Sequence, residues 1–343
     1  MRNHPARVAA FHILCAFLVS FPGTTLLHAQ IFGSDFAGTE EFAGLQIISA
    51  ARPAGLAGAY GALAEGTNSI GINPAGLARE SGQQFSGSVR LHPDMANAGQ
   101  VAYSRPFETF GKGGRLALSA SYLDYGTISG RDENNRPLGD IKPFSFYPAL
   151  TYAKAQTERF RWGASLKGML ENPGEFDGAH KALGAGVDAG LQYRVARNLG
   201  LGTSVVNAGF KLRRHSEGET AGSGLLPGMF RAGAFFHPQG MEKMSVDVDA
   251  EVPFHEPAAL DVGCEYRVIP EWDLRAGTRW DYNDVHNLLG TLGATQGVEE
   301  GGSALKASAG TTLRAGRANA DYAVQWWQDL GFVHAITLSW RIR

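Results

Sequence analysis

Met244-Ser245-Val246-Asp247-Val248-Asp249-Ala250-Glu251-Val252 alternates apolar with polar side chains without a slip. In an extended chain, alternate side chains point to the same side, so this stretch is a strand with one apolar and one acidic face. The pattern continues in 258–268, where Leu260, Val262, Cys264, Tyr266 and Val268 alternate with Asp261, Gly263, Glu265 and Arg267. It continues again in 272–282, where Trp272, Leu274, Ala276, Thr278, Trp280 and Tyr282 alternate with Asp273, Arg275, Gly277, Arg279 and Asp281. At 182–195 Val187, Leu191 and Tyr193 oppose Asp188, Gln192 and Arg194, and at the end Ile336, Leu338, Trp340 and Ile342 oppose Thr337, Ser339, Arg341 and Arg343.

Alternation alone also fits a soluble sandwich, so the spacing of the strands has to decide. The pattern places strands at 84–91, 98–105, 114–125, 144–154, 159–171, 182–195, 199–209, 228–237, 243–252, 258–268, 272–282, 304–314, 318–327 and 334–342. Most are close to the roughly ten residues that a tilted strand needs to cross a bilayer. From the third strand on, long connections (126–143, 172–181, 210–227, 283–303) mostly alternate with short ones (155–158, 196–198, 238–242, 269–271, 315–317). Tight turns at one end and long loops at the other are the rhythm of an up-and-down membrane barrel. The fold expected is therefore all-β, a transmembrane antiparallel β-barrel of about 14 strands over 84–343. Trp162, Trp272, Trp280, Trp326, Trp327 and Trp340 all fall within these strands, as an interfacial girdle requires.

The N-terminal part is built differently. Arg2 and Arg7 precede an apolar run from Ala9 to Phe21, too short to span a bilayer, and Leu27-His28-Ala29 offers a cleavage site; 1–29 reads as a signal peptide. After Phe21 no apolar run approaches the ~20 residues of a membrane helix, so a membrane would be crossed by strands. Segment 30–83 lacks the two-residue period and is rich in small residues, as in Ala50-Ala51-Arg52-Pro53-Ala54-Gly55-Leu56-Ala57-Gly58-Ala59-Tyr60-Gly61. Small residues allow close packing in a confined space, which suits a small helical and loop plug in the lumen of a barrel this wide. Within it, Asn73 can cap a helix with Pro74 at its first position, giving a candidate plug motif of Asn73, Pro74, Ala75 and Gly76.

Charge narrows the partners. The chain has 31 Lys and Arg against 33 Asp and Glu, and without Arg2 and Arg7 the balance is 29 to 33, which is no nucleic-acid footprint. Beyond the signal only Cys264 remains, so no internal disulfide is expected, and Gly, at 45 of 343, is near twice its usual share. Gly184-Ala185-Gly186-Val187-Asp188-Ala189 resembles a dinucleotide fingerprint but sits within a strand pattern rather than opening a helix. There is no G-x-S-x-G elbow and the histidines are scattered without metal-ligand spacing. Nothing here indicates an enzyme, a cofactor or a metal.

Four ordered groups of residues carry a family resemblance from about residue 44 to the end. They are Ser49 to Tyr60 with Asn73-Pro74-Ala75-Gly76-Leu77-Ala78; Tyr122-Leu123-Asp124-Tyr125-Gly126; Gly163 to Gly168 with 187–193 and Val206-Asn207-Ala208-Gly209; and Asp321-Tyr322-Ala323-Val324 with Leu330-Gly331 and His334 to Leu338. In this the chain resembles the PorV/PorQ-type outer-membrane proteins, a branch of the FadL-like barrels. The resemblance implies a fourteen-stranded barrel with an N-terminal plug. It departs from the family at Glu65-Gly66, at Gly71-Ile72 and at the terminal Arg343.

The polar faces of three successive strands form a candidate lumen wall: Asp247, Asp249 and Glu251, then Asp261, Glu265 and Arg267, then Asp273, Arg275 and Arg279 with Asp281. Neighbouring strands bring such side chains within pairing distance. They can contact cargo or a cation, or brace the barrel as an ion-pair network. The polar loops 126–143 and 210–227, the latter with Lys211, Arg213, Arg214, His215, Glu217 and Glu219, are either docking surfaces or solvated loops. The resemblance implies handling of exported proteins at the cell outer membrane in a type IX secretion-like pathway, with secretion components as partners. The alternatives are FadL-like passage of hydrophobic small molecules and a structural outer-membrane barrel; outer-membrane lipid is a partner in each.

Overall fold

In the computed structural model the described residues are 41–92, 96–131, 134–174, 180–213, 225–254, 256–291, 305–328 and 331–342. The expected signal peptide lies outside them, as do Arg214, His215, Glu217 and Glu219 of the loop at 210–227.

Fourteen strands form one closed antiparallel barrel. They are β1 (Gln83–Leu91), β2 (Asn97–Pro106), β3 (Gly114–Asp124), β6 (Phe144–Ala155), β7 (Phe160–Asn172), β8 (Ala182–Ala196), β9 (Leu199–Arg213), β10 (Met229–Phe236), β11 (Met244–Pro253), β12 (Ala259–Ile269), β13 (Trp272–Asp281), β14 (Leu305–Ala315), β15 (Ala318–Trp327) and β16 (Gly331–Ile342). The ring closes between β1 and β16, where Gln83 faces Ile342 and Leu91 faces His334. A closed ring leaves no strand edge unpaired, which excludes the sandwich. Each strand read from the sequence is present, with ends moved by a few residues; β9 extends to Arg213 and β16 begins at Gly331.

Two long connections carry structure that the alternation did not show. Within 126–143, β4 (Ile128–Arg131) and β5 (Pro137–Ile141) form a separate two-stranded hairpin. At the end of β13, Tyr282–Thr291 forms a helix, α2. Its start is set by a reciprocal cap: the Asp284 backbone N–H donates to the Asp281 carboxylate at 2.8 Å, and the Asp281 N–H donates to the Asp284 carboxylate at 3.2 Å. Asp281 thus caps a helix rather than standing as one more residue of the polar strand face.

The pleat sorts residues opposite to the rule for a water-soluble domain. Leu260 is 39% exposed and the neighbouring Asp261 is fully buried. Phe85, Leu118, Leu150, Leu166, Val187, Leu313 and Leu338 face outward in the same way, while Asp188, Gln192, Asp249, Glu251 and Asp273 are buried. An apolar belt around a polar interior is the arrangement of a strand barrel in hydrocarbon. The girdle expectation needs one correction. Trp272, Trp326 and Trp340 are exposed on the outside, but Trp327 lies under the Arg90 guanidinium, 5.4 Å from the ring centroid, and lines an inner cavity.

Residues 41–82 run inside the ring as short turns: Ala43–Gln46, the single-turn helix α1 (Ala51–Ala54), Gly66–Ser69 and Pro74–Arg79. The small residues read from the sequence act as spacers. Ala51 and Ala54 pack on Ala323 and Ala335 of the wall, and Ile70 and Leu77 pack on Ala102, Ala117 and Ala153. A larger group joins Leu56, Tyr60, Ala62, Leu63 and Ile72 to Phe235 of β10.

Candidate functional site

The site is built where the inner segment meets the wall. Asn73 is fully buried with extended backbone (φ −148°, ψ 103°), as a residue before proline prefers. Its side-chain oxygen accepts the Ala75 N–H at 3.1 Å and Pro74 follows at the first helical position, so the capped turn expected from the sequence forms. The same side chain also reaches outward. Its Nδ2 donates to the carbonyls of Gly61 at 2.9 Å and Leu191 at 3.1 Å, tying two levels of the inner segment to β8. The wall makes room with a glycine pair, Gly163 opposite Gly190 across β7 and β8. A methyl group at Gly163 would lie 2.5 Å from the Pro74 carbonyl carbon, and one at Gly190 would meet the Asn73 side chain. Only glycine admits so close an approach.

Further polar side chains of the wall satisfy the irregular backbone. Gln192 donates to the Ala62 and Ala64 carbonyls at 3.1 and 3.0 Å, Ser204 to Ile72 at 2.7 Å, Gln325 to Ala54 at 3.0 Å and Ser308 to Gly55 at 3.1 Å. The Ala51 N–H donates to the Thr337 hydroxyl at 2.8 Å. A segment without sheet partners must place its buried N–H and C=O groups somewhere, and the polar wall is where they go.

The expected lumen wall is a network of ion pairs. Arg279 lies 2.7 Å from Glu251 and 3.1 Å from Asp261, and Arg275 lies 3.1 Å from Glu265 and 3.4 Å from Asp321. Asp273 takes both Arg314 and Arg267. Two cations at the centre of the network were not among the residues picked from the sequence. Arg231 of β10 lies 3.0 Å from Asp249, pairs with Glu251 and donates at 2.6 Å to the Gly58 carbonyl. Arg52 of the inner segment grips Glu265 through both oxygens, at 2.9 and 3.1 Å, and reaches Glu65 at 3.3 Å. Burial pushes the Glu65 carboxyl up, and the Arg52 and Arg79 guanidiniums more than reverse this, holding it below the usual carboxylate range. Asp249 also accepts the Tyr60 and Gly61 N–H groups at 3.0 and 2.6 Å. Asp247 differs from its neighbours: it is 1% exposed and, among the described residues, receives only the Ser245 hydroxyl, at 3.0 Å. Among the described residues no His, Cys, Asp and Glu cluster has the arrangement of a metal site.

The inner segment divides the lumen. On its long-loop side lies a cavity of about 560 Å³, lined by Leu45, Ile48, Ile70 and Ile72 from the segment and by Arg90, His92, Tyr122, Tyr147, Lys167, Asn207, Met229 and Trp327 from the wall. On its turn side lies a smaller polar one of about 190 Å³, with Arg52, Glu65, Arg79, Arg314 and Arg341. Asn68 borders both. The corner of the larger cavity at Lys167 depends on an irregularity in β8 and β9. A register shift between Val187 and Ala189 accompanies a left-handed backbone at Asn207 (φ 57°), and Asp188 accepts the Asn207 N–H at 2.8 Å. Lys167 then lies 2.9 Å from Asp188 and donates at 2.6 Å to Asn207. Neither the cavity nor this corner was legible from alternation, which orders residues along a strand and not around a ring.

No family model matches the chain, and no curated protein does. Solved structures match over most of its length. A CymD monoaromatic hydrocarbon channel superposes with a TM-score of 0.58 at 13% identity, covering 86% of this chain and 98% of that one. The Pseudomonas putida toluene transporter TodX gives 0.56 at 13%, covering 81% and 94%. A Pseudomonas aeruginosa FadL homologue gives 0.53 at 15%, covering 86% and 98%. Identities this low speak to architecture alone, and the PorV/PorQ resemblance finds no support among these structures. The chain has the closed fourteen-stranded fold of FadL-type outer-membrane barrels.

Proposed function

We propose that this chain is an outer-membrane conduit for hydrophobic small molecules, with residues 41–82 as its plug. The observation that carries the reading is the 560 Å³ cavity on the long-loop side of the inner segment, lined there by Ile48, Ile70 and Ile72. That volume lies within the ~300–1,000 Å³ of small-molecule sites. Solved structures of the same architecture include a toluene transporter and monoaromatic hydrocarbon channels, which favours passage over the secretion reading. The Asn73-Pro74-Ala75-Gly76 turn anchors the plug to β7 and β8, and the charged wall from Asp247 to Arg279 holds its other side. Uptake of labelled toluene by cells carrying the intact barrel, compared with a barrel lacking residues 40–70, tests it. Altered uptake in the deletion is expected; unchanged uptake in a correctly assembled deletion removes the plug's role. The order of sequence motifs shared with PorV/PorQ-type proteins favours a second reading, reception of exported proteins. Retrieval of secretion components with the tagged barrel from its native membrane would support that reading instead. Unchanged uptake and secretion in a strain lacking the protein would leave a structural barrel.

A further inference from the structure

The end of the lumen at the tight turns is rimmed with arginine. Six strands each place one on the inner face there: Arg115 of β3, Arg161 of β7, Arg194 of β8, Arg267 of β12, Arg314 of β14 and Arg341 of β16. Alternation fixes the face for Arg161 and Arg194. Each stands two residues from one that touches the inner segment, Gly163 against Pro74 and Gln192 against the Ala62 and Ala64 carbonyls. Four of the six have an acid. Asp273 takes Arg267 and Arg314, and the Glu80 charge acts on Arg115 and Arg341. Arg161 and Arg194 have no carboxylate within 4.0 Å among the described residues, and neither has Arg79, the last residue of the Pro74–Arg79 turn.

These three cations stand together. Arg161 faces Gln192 across β7 and β8, so Arg194, two residues further on, is its diagonal neighbour at roughly 7–8 Å between backbones. Arg79 is brought to them by the turn that packs on both strands, and the Leu63 carbonyl at 3.1 Å and the Phe235 ring at 5.8 Å hold it there. The charges of Arg79 and Arg194 both act against Arg161, and the carboxylate that bears on it, Glu65, already lies 3.3 Å from Arg52. The Arg161 Nε is buried without a hydrogen bond. Guanidiniums that repel one another are relieved by an anion, and each offers a planar fork of N–H groups to its oxygens. A singly charged guest leaves most of the excess in place. A tetrahedral dianion supplies two charges and enough oxygens to meet all three forks. Rings of basic side chains serve anion and phosphate pores in the same way. The side chains face the lumen and not hydrocarbon, which favours an anion from the aqueous side over a lipid headgroup. We propose that Arg79, Arg161 and Arg194 bind a phosphate-class dianion, which bridges the inner segment to β7 and β8. The site is separate from the large cavity and does not rest on the uptake reading.

The test is calorimetric titration of the full-length barrel in dodecyl maltoside, free of lipid phosphate, in mildly alkaline buffer of low salt. Inorganic phosphate, a dianion under these conditions, is compared with methanesulfonate, which is tetrahedral and singly charged. Phosphate is expected to bind about tenfold or more tightly, as additional charge-assisted hydrogen bonds imply. It should also slow hydrogen exchange at Ala78 and Arg79, the end of the turn that it fastens. Arg161→Gln should cost about tenfold in phosphate affinity and remove the slowing. Arg194→Gln, at an exposed side chain, should show the same loss with the barrel intact. Arg197→Gln, in the exposed turn between β8 and β9, should leave both readouts unchanged, which separates the site from general surface charge. Equal affinity for the two anions, no slowing at the turn, or an equal loss in Arg194→Gln and Arg197→Gln overturns the proposal. Toluene uptake is a different measurement, so the uptake reading stands or falls without it.

Discussion

Replacing Arg231 by Met tests whether the buried network holds the barrel to its inner segment. The guanidinium lies 3.0 Å from Asp249, pairs with Glu251 and donates at 2.6 Å to the Gly58 carbonyl. Methionine fills similar space and removes all three contacts. Glu251 keeps Arg279 at 2.7 Å, but Asp249 is left with two backbone N–H groups and no cation among the described residues. Breaking a buried pair from one side costs about 3–5 kcal/mol, because a charge stays behind without its partner. A second substitution, Asp249→Asn, removes that stranded charge. The double variant is therefore expected to recover a large part of the loss, although neither residue is restored. Arg267→Ala is the control: its side chain is 52% exposed and the buried Asp273 keeps Arg314, so the loss is expected to stay within the ~0–1 kcal/mol of exposed pairs. The readout is urea-induced unfolding in lipid vesicles, followed by intrinsic fluorescence and by the mobility difference between folded and unfolded barrel on a gel. If Arg231→Met matches the parent, or the double variant is no more stable than the single one, buried charge pairing is not what fastens the segment.

Three further outcomes are expected. Asn73→Ala removes the cap of the Pro74 turn and two bonds to carbonyls; loss of the cap alone costs about 1 kcal/mol, and faster hydrogen exchange at Ala75 and Gly76 would report it. Gly163→Ala places a methyl group against the Pro74 backbone, so it should displace the turn and raise leakage of a small dye from vesicles, whereas a tight vesicle would show that the wall yields instead. His92, just past the end of β1, is pushed down to about 4 from its usual 6.5 by burial and by Arg90. The unfolded chain therefore binds its proton first, and stability present above pH 6.5 falls as the pH drops toward 4; His92→Gln should flatten that part of the stability profile, and an identical profile would refute the assignment.

Much of the architecture was set along the chain. Alternation such as Val246-Asp247-Val248-Asp249 fixes which side chains share a face, and connection lengths fix which strands are neighbours, because tight turns force antiparallel pairing. The fourteen strands and their inward acids followed from that, as did the capped turn at Asn73-Pro74, which is local chemistry. The structured parts of the long connections did not follow. The β4–β5 hairpin is short, and α2 depends on the reciprocal cap of Asp281 and Asp284 overriding an alternation that ran on to Tyr282.

The sequence by itself determined that a strand barrel forms and which face of each strand is polar, since both depend on neighbours one to a few residues apart. Only the tertiary structure decided which cation meets which carboxylate. Arg52 and Glu265 are 213 residues apart, and Arg231 with the Gly58 carbonyl 173. It also decided that Trp327 turns inward beneath Arg90 and that Arg90 meets no carboxylate among the described residues. Ring closure brings β1, β15 and β16 together from opposite ends of the chain, and charge balance in a lumen is a property of the whole ring, which no periodicity along one strand can express.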